Sequence, residues 1–129
     1  MSSEGVSNED DFVLVVTIVK KGWGDDVVKA SRKAGAQGGT ILFGRGTGIH
    51  ENKSILGLMI EPEKEIVLTI AESSMADDII RSVTEAVKLD EPGTGVGFIL
   101  PIEKIFGITR YFCEAGNILK KDLNNKPGA

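Results

Sequence analysis

The chain has 129 residues, enough for one domain, and its 41% hydrophobic and 26% charged residues are ordinary for a soluble globular protein. Fifteen Lys and Arg against nineteen Asp and Glu give a formal net charge of −4, and no basic run exceeds the pairs Lys20-Lys21 and Lys120-Lys121. Clustered cations for neutralising phosphates are missing, which argues against a nucleic-acid partner. No apolar run reaches membrane-spanning length, and the polar, acidic start of the chain is unlike a signal peptide. The single cysteine, Cys113, has no internal disulfide partner and reads as an unreactive thiol in a reducing, cytoplasmic setting.

Residues 1–10 are expected to form a disordered tail, 11–110 one domain and 111–129 a C-terminal extension. Phe12–Val19 is almost continuously apolar, the mark of a strand buried on both faces. Gly22-Trp23-Gly24 breaks it, with Trp23 read as a core plug. Asp25 and Asp26 suit the first turn of a helix, Val27, Ala30, Ser31 and Ala34 recur at helical spacing, and Gly35 ends the helix. Gly38-Gly39 turns into a second strand, Thr40–Phe43. Gly44–Ser54 is glycine-rich and polar and reads as an exposed loop. Ile55–Ile60 and Lys64–Ala71 flank Pro62, which suggests a strand interrupted by a turn or bulge. Ile79, Ile80, Val83 and Val87 mark a second helix, from about Ala76 to Lys88. A loop, Asp90–Gly95, leads into a last strand, Val96–Pro101. Lys104–Arg110 reads as a short strand or helical turn with Ile105, Phe106 and Ile108 partly buried, and Lys120–Ala129 as a frayed end.

The chain contains itself twice. Val15-Val16-Thr17-Ile18 followed by Asp25-Asp26 recurs as Val67-Leu68-Thr69-Ile70 followed by Asp77-Asp78, about 52 residues on. Thr40-Ile41-Leu42-Phe43 and Gly97-Phe98-Ile99-Leu100 close the two copies. A βαββαβ order predicts an α+β, ferredoxin-like fold: a four-stranded antiparallel sheet with both helices on one face. The strands are apolar on both sides, so the uncovered face predicts a cyclic oligomer. The aspartate pairs read as helix-start residues rather than catalytic carboxylates.

The double βαβ, the Arg45-Gly46-Thr47-Gly48 loop entry and the Gly93-Thr94-Gly95 loop before Phe98-Ile99-Leu100-Pro101-Ile102-Glu103 resemble the PII nitrogen-regulatory signal-transduction proteins, from about Asp11 to Arg110. The resemblance implies a homotrimer that binds an adenine nucleotide (ATP, ADP or AMP) as a small-molecule effector in clefts between subunits. It also implies a loop after the second strand, here Gly44–Ser54, that touches a membrane transporter or a metabolic enzyme. Carried over position by position, Arg45, Gly46, Thr47, Gly48, Gly93, Thr94, Gly95, Lys104 and Arg110 would line the effector site. The chain departs from the family pattern in four ways. Its partner loop is shorter and lacks the tyrosine that is uridylylated, the only tyrosine being Tyr111. Val96 stands where the phosphate loop carries lysine, and Gly107 and Thr109 stand where the closing segment offers arginines. Without those cations, a triphosphate is expected to be held weakly.

No nucleophile–base pair occurs at recognisable spacing, so the expectation is a regulator without catalytic residues. An alternative is a metal- or anion-binding trimer of the cation-tolerance type, in which His50 beside Glu51 would be the key group.

Overall fold

The computed structural model describes residues 11–48, 53–55, 58–60 and 62–107, the two shortest stretches by backbone alone. In chain order the elements are β1 (Phe12–Lys20), α1 (Gly24–Lys33), β2 (Thr40–Arg45), β3 (Lys53–Ile55), β4 (Leu58–Ile60), β5 (Glu63–Glu72), a single 3-10 turn (Ser73–Met75), α2 (Ala76–Val87) and β6 (Gly95–Ile102). Four strands form one antiparallel sheet in the order β2-β5-β1-β6, the ferredoxin-like arrangement predicted from the repeat.

Pairing register assigns the faces, because directly opposed residues of antiparallel strands point the same way. Val15 pairs with Thr69 and Thr17 with Val67, and these look toward the helices. With Val19, Val27, Ile79, Val83 and Val87 they form the core, and Trp23 packs against it as expected. The opposite face carries Leu14, Val16 and Ile18 of β1 beside Ile66, Leu68 and Ile70 of β5, with Val96, Phe98 and Leu100 of β6 next to them. Every one of these is apolar, and Val96, Phe98 and Leu100 are about half exposed.

Helix α1 has acids in its first turn and Arg32 and Lys33 in its last, matching the helix dipole at both ends. Its N-terminus is not capped by its own chain segment. Glu65, buried in β5, accepts hydrogen bonds from the backbone N–H of Gly22 (2.9 Å) and Gly24 (2.7 Å). A side chain at position 24 would collide with that carboxylate, which explains the glycine. Helix α2 is introduced by the 3-10 turn, whose Ser73 N–H donates to Asp11 O (2.9 Å), and it ends on Lys88 in the left-handed region at φ 55°.

Three readings need correction. Ile55–Ile60 does not continue toward β5 as an interrupted strand: β3 and β4 pair with each other as a separate two-stranded hairpin. The repeat is offset by one in its closing strands. Ile41 pairs with Val67 and Ile99 with Val15, so Ile41-Leu42 corresponds to Ile99-Leu100, and Phe43 to Pro101. Phe106 is 95% exposed rather than partly buried, because the chain has left the sheet at Ile102 and no described residue covers it.

Candidate functional site

The two glycine loops sit on opposite edges of the sheet. Arg45, Gly46, Thr47 and Gly48 leave the end of β2, and Gly93, Thr94 and Gly95 enter β6. With β5 and β1 between them, strand spacing separates the edges by about 14 Å. Within one chain the loops do not meet. They do share a level: Phe43 pairs with Glu65, Glu65 with Val19, and Val19 with Gly95, one continuous row across the sheet.

The neck of the first loop is tied. The β2–β5 ladder runs to Arg45 opposite Glu63, and Gly46 N–H donates to Pro62 O (3.1 Å). Glu63 pairs in turn with Lys21 on the β1–α1 turn (2.9 Å), reinforced by Lys21 N–H to Glu63 O (3.3 Å). The hydrogen bond from Lys21 lowers the Glu63 pKa, with Coulombic help from Lys21 and then Arg45. The same hydrogen bond raises that of Lys21. The Arg45 side chain, Thr47 and Gly48 are exposed.

The second loop is built differently. Thr94 is buried, and its hydroxyl lies 2.7 Å from Lys88 O and 2.9 Å from Glu91 O, so its proton is committed to the loop's own backbone. What the loop offers a ligand is backbone N–H, with Gly93 at φ 83°. Gly95 is glycine for packing: a Cβ there would lie 2.5 Å from Ile18 O and 3.1 Å from Leu89 and Val19. Lys104 is exposed beyond β6. Arg110, His50, Glu51, Tyr111 and Cys113 lie outside the described residues.

A feature absent from the sequence reading adjoins this loop. Between α2 and β6 runs a groove of about 310 Å3, bounded by Ile79, Ile80, Val83 and Leu89 and floored by Gly95 and Gly97. The signal was the alternating pair Gly95 and Gly97 at the start of an otherwise apolar strand. Glu65 was missed as well, although an acid alternating with Val67, Thr69 and Ala71 on a core-facing strand called for a buried partner.

Among the described residues no group of three or more His, Cys, Asp and Glu is placed to hold a metal ion, and no helix is long and apolar enough to cross a membrane. The family model for nitrogen regulatory protein P-II matches residues 12–110. The chain belongs to the P-II family. P-II proteins are regulatory signal-transduction proteins rather than enzymes, and the double βαβ sheet described above is the fold expected of one. No curated protein matches the chain.

Proposed function

We propose that this P-II protein works as a homotrimer that binds a small anionic effector, of the adenine-nucleotide class, in clefts between subunits. Through the stretch between Gly46 and Pro62 it would regulate a membrane transporter or a metabolic enzyme. One observation carries the reading: the two glycine loops stand at the same level on opposite edges of one sheet. A ring of copies laid edge to edge brings Arg45–Gly48 of one copy to the Asp90–Gly95 loop of the next. The uncovered face is apolar across its centre, with Lys20, Lys64, Thr40 and Glu72 toward its margins, and this supports such a ring, since a contiguous apolar surface is uncommon on a soluble monomer.

Backbone N–H groups at Gly93–Gly95 and the Arg45 guanidinium supply the anion contacts. With Val96 in place of a cation, mono- and diphosphates lose less than a triphosphate does. Effector binding would act by ordering the loops, shifting a population between partner-competent and partner-incompetent forms.

The test is sedimentation to establish the trimer, followed by calorimetry with ATP, ADP, AMP and 2-oxoglutarate. Saturating effector at about 100 times Kd should raise stability by roughly 2.7 kcal/mol. Arg45→Ala should weaken a phosphorylated effector about tenfold with the trimer intact. No response to any nucleotide sinks the effector class, and a monomer sinks the cleft.

A further inference from the structure

The exposed large apolar residues of the described chain are not scattered. Leu42 and Phe43 are on edge strand β2, and Val96, Phe98 and Leu100 are on edge strand β6. The other two are Ile80, at the rim of the α2–β6 groove, and Phe106 just after β6. One edge projects and the other is hollow. Phe43 is 74% exposed and lies on the helix side of the sheet, since it pairs with core-facing Glu65. The groove opens on that same side of the opposite edge, where Gly95 and Gly97 leave the floor without side chains. We propose that Phe43 of one copy seats in the α2–β6 groove of the next, a knob and hole that closes the subunit ring and sets its register.

Three matches carry this. The first is level. Phe43 shares a sheet row with Gly95, and Ile41 shares one with Gly97, so turning copies about an axis parallel to the strands brings the ring to the groove without sliding. The second is size. A cavity of ~150 Å3 holds a benzene-sized ligand, and the groove, at about 310 Å3, admits a phenyl ring with its neighbours. The third is the other face. The row beside Phe43 joins Leu42 to Val96, 46% and 54% exposed, so the same approach lays these two on one another across the apolar side. The interface is heterologous, a different patch on each partner, as a closed ring requires. It would also place the Arg45–Gly48 loop, two residues beyond Phe43, against the neighbour's Gly93–Gly95 loop.

This inference rests on the ring assembly proposed above, and the experiment separates the two. Sedimentation of the full chain is compared with Phe43→Ala and Gly97→Val. Position 97 has room for a Cβ, its nearest contact being 3.5 Å, so the valine fills the groove while circular dichroism checks the fold. Each variant should weaken self-association about tenfold or more. In a Cys113→Ser background, Phe43→Cys combined with Ile80→Cys should give a ladder of inter-copy products with a short bis-maleimide, and neither single variant should. If the native protein assembles, but Phe43→Ala assembles equally well and no ladder forms, the knob-and-hole contact is overturned and the ring stands. A monomeric native protein overturns both.

Discussion

The two halves of the molecule share a plan but close differently over the sheet. In the first half α1 approaches β5 closely at backbone level, whereas α2 makes no comparable approach to any strand. The residues explain it. Ala30 and Ser31 are small, so α1 sinks until Val27, Ser31, Val67 and Thr69 have almost no exposure. The corresponding place in the second half is held apart by Ile79 and Val83 above glycines, which leaves the 310 Å3 groove. Closure has a cost: the hydroxyls of Ser31 and Thr69 are buried without a hydrogen-bond partner. The halves also differ at their helix entries. Glu65 crosses over to cap α1, while the repeat-equivalent position facing α2 is Val13. The repeat supplies the scaffold; the first half is sealed and the second left open.

The contrast is broken most severely at Glu65. Glu65→Ala strips two backbone N–H groups of their acceptor at a buried helix start and should cost about 2–3 kcal/mol in urea unfolding. Val13→Ala, at the equivalent place, should lose only packing and no cap. Next in size is the sealed pocket. Thr69→Val removes an unpartnered hydroxyl at nearly constant shape and should gain about 1 kcal/mol. Thr17→Val, beside the open groove, should gain less. Smaller again is the end of α2: Lys88→Gly relieves a left-handed non-glycine residue and should raise stability by roughly 0.5 kcal/mol.

The smallest effect is at the loop neck. The lowered Glu63 pKa means that its contribution is present above the ordinary carboxylate value of 4.5 and lost as pH falls through the lowered one. For Lys21 the contribution is present below the ordinary 10.5 and lost as pH rises through the raised value. The stability difference between native protein and Glu63→Gln should therefore be level across neutral pH and vanish on strong acidification. Because both side chains are well exposed, added salt should shrink it.

Strands and helices were legible because their signals are local: continuous apolar runs, paired aspartates at helix starts, and glycines at helix ends. The fold followed from repeating those signals. What stayed hidden depends on residues far apart in sequence. Glu65 acts on Gly22 and Gly24, more than forty positions away. Gly95 looked like a phosphate-loop glycine, yet contact with Ile18 already demands it. Thr94 looked available to a ligand, yet its hydroxyl is turned onto Lys88 and Glu91. The β3–β4 hairpin was invisible because a short apolar run does not state whether it joins the main sheet or folds on itself.

The tied neck has an engineering consequence. Gly46 and Pro62 are held together by their own hydrogen bond and by the ladder beneath, so the fold below does not depend on how many residues run between them. Closing a loop costs only about 0.6 kcal/mol more for each doubling of its length. The neck is thus a socket for grafted sequence. A foreign epitope or fluorescent reporter inserted there would be displayed at a fixed point on the scaffold.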